Sequence, residues 1–176
     1  MIELKLLKAS QIYKSQYIEF VTECKEDIKK CGMSFYMPLS DNDSFYEDIQ
    51  QLINNEKGDN LPDGWVPSTT YWLMRKNDER ILGGLTVRHS LSESLLFRGG
   101  HISYYIRLSE RCKGYATYIL KLSLKECKTL GINRVMITCA KSNIGSLKII
   151  QKNGGILHSE DIENGEEFLR FWIDNN

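Results

Sequence analysis

The chain has 176 residues, 41% of them apolar and 26% charged, enough to bury one substantial core beneath an ordinary polar surface. Its 23 basic residues balance 23 acidic ones, so no net field draws it to nucleic acid or to an anionic membrane. Five cysteines, odd in number and without a CxxC pair, fit a reducing cytoplasm better than a disulfide framework.

The first residues, MIELKLLKAS, lack the long apolar stretch of a secretory leader, and no run reaches the ~20 apolar residues that span a bilayer. The expectation is one cytoplasmic domain over residues 1–176, with neither a membrane nor a nucleic-acid partner.

Ile2 to Leu7 alternate apolar and polar residues as a half-buried strand does. From Gln11 to Lys30 the period becomes helical, with Tyr13, Tyr17, Phe20, Val21 and Cys24 on one side. After a break at Gly32 and Pro38, Phe45, Ile49, Leu52 and Ile53 mark a second helix, capped by Asp43 or Ser44. The run GDNLPDGWVPSTT reads as a loop.

Three strands follow, at Tyr71 to Met74, Ile81 to Val87 and His101 to Leu108, rich in aromatic and β-branched residues. A polar turn at Lys76 to Glu79 joins the first two, and a longer one around Ser92 to Gly100 joins the next two. A helix from Gly114 to Leu130 carries its apolar stripe at Ala116, Ile119, Leu120, Leu124 and Cys127, with Gly131 ending it. Arg134 to Cys139 is a short buried strand, and Asn143 to Lys152 a short helix ending at Gly154-Gly155. Closing strands are expected near Ile156 to His158 and Phe168 to Ile173. The order β-α-α-β-β-β-α-β-α-β-β implies an α/β fold, with one mixed, mostly antiparallel sheet flanked by helices on both faces.

The segment SERCKGYAT, Ser109 to Thr117, joins the third of these strands to the long helix. Such a junction aims backbone N–H groups at one point, where the helix N-terminus adds partial positive charge. Gly114 admits a ligand close to the backbone, and Ala116 keeps the first turn slim. Arg107, Arg111 and Lys113 bring cations nearby. These are the parts of a diphosphate cradle, with Arg111, Cys112, Lys113, Gly114, Tyr115, Ala116 and Thr117 as its candidate contacts. A solvated basic turn opening a helix would look the same in isolation.

Placed after a strand and opening a helix, Arg111-x-x-Gly114-x-Ala116 resembles the acetyl-CoA signature of the GNAT superfamily of N-acyltransferases, Gln/Arg-x-x-Gly-x-Gly/Ala. The element order resembles that fold too, most closely from about Thr69 to Gly155. The resemblance implies an acetyl-CoA-dependent N-acetyltransferase acting on a primary amine of a small molecule or peptide. It implies that Asn143 contacts the pantetheine arm or orders the loop beside it. It also implies that the strand carrying Tyr105, Ile106 and Arg107 splays from its neighbour, so that its free backbone groups pair with pantetheine and polarise the thioester carbonyl. The tyrosine that protonates the departing thiolate in the family falls here on Ile150 and is missing. A thiolate of pKa near ~8.5 is a tolerable leaving group without it.

An attacking amine must be uncharged, so a base or a desolvated pocket is needed. His89 and His101 are the candidate bases, and a symmetric hairpin centred near Leu95 would set them opposite each other. Each could instead cap the sheet through a satisfied hydrogen bond. Ser103, Tyr104 and Tyr105 are further candidates, and Phe35, Tyr36 and Trp65 sit in loops where aromatics line acceptor pockets or plug a core.

No HExxH, GxxxxGK[ST] or GxSxG is present, and DNDSFYED fails as a calcium loop because Phe45 and Tyr46 hold its fifth and sixth positions. No metal is expected. A catalytically silent CoA-binding module of the same fold is the alternative reading, kept open by Ile150, and a protein that keeps the fold without the cofactor is a third. The closing strands could pair two copies into a homodimer.

Overall fold

The computed structural model describes residues 3–33 and 37–176. Strand β1 is Leu4–Lys8, followed by helices α1, Lys14–Lys30, and α2, Phe45–Lys57. Strands β2, Ser68–Arg75, and β3, Arg80–Arg88, form a hairpin. A short helix α3, Glu93–Phe97, leads to β4, Ile102–Ile106, then to helix α4, Tyr115–Thr129, and strand β5, Arg134–Ala140. Helix α5, Ile144–Lys152, and strands β6, Ile156–Glu163, and β7, Glu166–Asp174, close the chain. Among the described residues no helix is long and apolar enough to cross a membrane.

The mixed α/β architecture is the one expected, with several boundaries moved. Ser68, Thr69 and Thr70, read as loop, begin β2, where they pair with Arg88, Val87 and Thr86 of β3 and are buried. The turn from Ser92 to Gly100 holds α3. Ser44 is the residue preceding α2, yet its side chain makes no capping bond there. The Asp41 carboxylate instead accepts from the N–H groups of Asp43 and Ser44, both at 2.9 Å. Strands β6 and β7 run longer than expected and meet at Asn164-Gly165, both with positive φ, which is the backbone of a tight two-residue hairpin.

All strand pairs are antiparallel, in the orders β1-β2-β3-β4 and β5-β7-β6. The sheet is thus parted between β4 and β5, which share only an isolated bridge between Gly100 and Ile137. What unites the two sections is a shared core. Leu73, Leu85, Ile102 and Ile106 from the first section meet Ile119 and Leu120 of α4 and Val135, Ile137 and Phe171 of the second.

The other face of the first section carries alternate residues, as a pleated strand requires. Trp72, Met74 and Tyr105 pack there against Tyr17, Phe20 and Cys24 of α1 and Phe45 and Ile49 of α2. The Tyr17 and Trp72 rings stack with centroids 4.6 Å apart. Helices α1 and α2 therefore cover one face, and α4 the other.

Candidate cofactor and active site

The geometry starts where the sheet parts. His101 lies just before β4, and its N–H donates to the Met136 carbonyl of β5 at 2.8 Å. Its ring closes the clasp, Nδ1 accepting from the Met136 N–H at 2.9 Å. Beyond this point β4 and β5 share no backbone ladder, and burial falls along β5 from Ile137 to the half-buried Thr138, Cys139 and Ala140. A sheet interior that grows more exposed in mid-strand is an open gap.

Backbone alternation decides which groups face it. His101 accepts from the Arg88 N–H, and the Arg107 N–H donates to the Leu82 carbonyl at 2.8 Å. In an antiparallel ladder the same parity turns Ser103 and Tyr105 toward β3, and Tyr104 and Ile106 toward the gap. The expectation of free groups near Tyr105, Ile106 and Arg107 is corrected accordingly. Ile106 does face the gap, but Tyr104 takes the place of Tyr105, and the N–H of Arg107 is already used.

The Arg107 side chain is likewise committed. It is 1% exposed and donates to Glu23 at 2.5 Å, Glu19 at 2.8 Å and the Ile81 carbonyl at 3.3 Å. It is a strut between β4 and α1, not a cation on the loop. Burial opposes ionisation of Glu23, yet hydrogen bonds from Ser109 and Arg107 and the Arg107 charge outweigh it and hold that carboxyl at about 2.

After the turn Leu108–Glu110, the loop enters α4 through Cys112 and Gly114, both with positive φ, 61° and 84°. Among the described residues, no acceptor is found for the N–H groups of Cys112, Lys113, Gly114, Tyr115, Ala116 or Thr117; the first bonded one is Tyr118, to Gly114. Six successive free N–H groups, wound through left-handed positions onto a helix N-terminus, form an anion-binding nest. A Cβ on Gly114 would meet nothing within 4 Å, so the space before the nest is open.

The nearby cations do not stand free in it. Arg111 donates to Asp27 at 2.6 Å and to the Ile106 carbonyl at 3.1 Å, with its guanidinium 5.1 Å from the Tyr105 ring centre. Lys113 donates to Glu110 and to the Ser109 carbonyl, both at 2.9 Å. Glu110 is 4% exposed and also accepts from Arg75. Its carboxyl is held low because bonds from Lys113 and the Arg75 charge outweigh burial. The loop is anchored by these pairs, which leaves its N–H groups as the donors that face the open space.

The acid–base candidates fare differently. His101 is 7% exposed, and burial first, then the Arg88 charge, take its pKa to about 4. A ring nitrogen that accepts an N–H must be unprotonated, so the clasp also favours the neutral form. His89 Nε2 lies 2.8 Å from Thr69 Oγ1, and burial lowers its pKa. The two histidines are not opposite each other: His101 faces Arg88 across the ladder, which leaves His89 one position on. Tyr105 donates to Asp27 at 2.8 Å, and burial first, then Asp27, raise its pKa far above the usual phenol range. None of the three presents a free base or acid to the gap.

A hydroxyl pair does border it. Tyr104 Oη donates to Ser146 Oγ at 3.3 Å, joining β4 to the first turn of α5. Asn143 caps that turn, its Oδ1 accepting from the Ser146 N–H at 3.0 Å. Asn143 therefore orders the loop entering α5. Ile150 is fully buried in the core shared with α4. Ser146 went unremarked in the sequence, although its place three residues after the Asn143 cap was a usable signal. Trp65 lines a cavity with Arg88. Phe35 and Tyr36 lie outside the described residues.

The fold of this chain is similar to that of several solved acetyltransferases. The chain superposes on the ribosomal-protein-S5-alanine acetyltransferase from Vibrio fischeri with a TM-score of 0.69 at 14% identity, covering 98% of this chain and 92% of that one. The spermidine N-acetyltransferase from Vibrio cholerae, in complex with CoA and spermine, gives 0.66 at 13% identity, covering 98% and 95%. The microcin C7 self-immunity acetyltransferase MccE, in complex with acetyl-CoA and AMP, gives 0.66 at 17%, covering 98% and 92%. At such identities the likeness is one of fold. Among curated proteins no sequence match is found. Residues 19–156, however, match the acetyltransferase (GNAT) domain, and with the N–H nest, the parted sheet and the order of elements this means that the chain belongs to the GNAT acetyltransferase family.

Proposed function

We propose that this protein passes the acetyl group of acetyl-CoA directly to a primary amine of a small-molecule or peptide acceptor. The observation that carries the reading is the run of unpartnered N–H groups from Cys112 to Thr117, set beside the unpaired edge of β4. Acetyl-CoA supplies an activated thioester. The nest would hold its diphosphate, and the backbone groups of Tyr104 and the N–H of Ile106 would pair with the pantetheine arm. A backbone N–H on that edge would donate to the carbonyl oxygen as negative charge develops on it.

Proton handling falls to few groups. The Tyr104–Ser146 pair would serve as the proton source, and a thiol of pKa ~8.5 asks little of it. With the rings of His89 and His101 engaged, the acceptor amine binds neutral or gives its proton to water.

Thiol release from acetyl-CoA, measured with and without a panel of primary amines, tests the proposal. Amine-dependent release with a matching N-acetyl product supports it. Binding of acetyl-CoA without turnover on any amine would favour the silent CoA-binding module, and no binding at all a protein that keeps only the fold.

A further inference from the structure

A cavity of about 370 Å3 opens beside the start of β4. Asp63 and Trp65 reach it from the loop between α2 and β2, Ser68 and Arg88 from the paired ends of β2 and β3, and Ser94 and Leu95 from α3. Its position follows from strand parity. Arg88 faces His101 across the ladder, and steps of two along β4 lead to Ser103 and Tyr105 on the face covered by α1 and α2. The N–H nest opens α4, on the opposite face. Arg88 Nη2 donates to Ser103 Oγ at 3.0 Å, and Ser103 directly precedes Tyr104, whose backbone faces the gap. Cavity and nest thus approach the parted sheet from its two sides, as a two-substrate transfer requires.

The charge of the lining is distinctive. Arg88 is 5% exposed and also donates to the Gly100 carbonyl at 2.8 Å, which fixes the guanidinium in the wall. A fixed cation in a partly desolvated wall attracts anions and repels a polyamine far more strongly than a surface charge does. Asp63 is exposed at the same cavity, placed to meet an ammonium. A volume near the lower end of the ~300–1,000 Å3 typical of ligand sites suits a small molecule.

We infer that this cavity is the acceptor site, and that its acceptor carries a carboxylate or phosphate a few atoms from the amine, held by Arg88. The assignment as acceptor site rests on the transfer reading above; the anion preference does not.

Of the three tryptophans, Trp65 lines the cavity, 37% exposed, while Trp72 is fully buried. Trp65 fluorescence therefore reports binding without turnover, with Trp65→Phe as the control for the signal. The probes are β-alanine against its amide, phosphoethanolamine against ethanolamine, and spermidine. At least one anionic probe should bind roughly tenfold or more tighter than its uncharged counterpart, and spermidine more weakly than either anion. A preference confined to one pair identifies the anion as carboxylate or phosphate.

Ser94→Asp places a negative charge at an exposed position of the wall and should weaken the anionic probe about fivefold or more. The rise in melting temperature with acetyl-CoA should persist in that variant. Equal binding within both pairs, no response to either anion, or anion binding unchanged in Ser94→Asp overturns the inference. If acetyl-CoA gives no stabilisation of the wild-type chain, the transfer reading fails, and the titration still decides the anion preference.

Discussion

The Met136 main chain is gripped twice by one residue: His101 donates its N–H to the Met136 carbonyl and accepts the Met136 N–H at its ring Nδ1, at 2.8 and 2.9 Å. The clasp stands where the two sheet sections part, so it fixes the apex of the gap.

His101→Ala should therefore act on stability. It leaves the Met136 N–H without its acceptor, at a cost of about 1–3 kcal/mol. The pH dependence gives a second readout. The folded-state pKa of about 4 lies below the ordinary 6.5, so the unfolded chain binds a proton that the native chain does not. The contribution of this ring is complete above pH 6.5 and is lost as pH falls toward 4, by at most about 3 kcal/mol. Melting curves across that range should show a smaller acid-side decline in His101→Ala than in wild type. A variant that keeps full stability but loses a limb of the pH–rate profile would make His101 a base after all.

Gly114→Val tests the nest. The residue sits at φ 84°, and a Cβ there meets no protein atom within 4 Å, so the main cost to the fold should be about 1–2 kcal/mol of backbone strain. The variant should nevertheless lose the rise in melting temperature that acetyl-CoA gives wild type. An undiminished rise would show that the diphosphate binds elsewhere.

Arg111 and Lys113 looked from the sequence like phosphate partners, but each is held by a carboxylate, Asp27 and Glu110. Replacing both by Ala should weaken CoA by less than about tenfold at moderate salt, with only a shallow salt dependence. Calorimetric titration at two ionic strengths measures this. A loss of hundredfold or more, erased by salt, would mean that both side chains leave their acids for the phosphates.

Ser146→Ala and Tyr104→Phe remove either end of the hydroxyl pair. Each should lower kcat about tenfold while leaving acetyl-CoA affinity unchanged, because a thiol departs with modest help. Unchanged kcat in both would show that solvent supplies the proton.

These sites differ in how far the sequence discloses them. The nest is local: Arg111 to Thr117 hold their glycine and helix start within seven positions, so a glycine-bearing loop opening a helix is legible there. The ion pairs are not local. Arg107 and Arg111 meet Glu19, Glu23 and Asp27 across separations of 84 to 88 residues, which no periodicity in the loop signals. The histidine pair was misplaced by one register step. A hairpin centred near Leu95 would set His89 against His101, but α3 and the positive φ values of Gly99 and Gly100 turn the chain so that Arg88 takes that place. A one-residue slip reverses the face of every side chain. It also hid Arg88, now in the wall of the cavity beside β4.

The proposed transfer requires acetyl-CoA to lie in the gap with its diphosphate on the nest. Amide hydrogen exchange, resolved to single residues with and without acetyl-CoA, tests it most directly. Strong new protection is expected at Cys112 through Thr117 and at Tyr104 and Ile106, the amides that lack protein acceptors or face the gap. Protection confined to other segments, with these amides exchanging as fast as in the free protein while acetyl-CoA is bound, would contradict it.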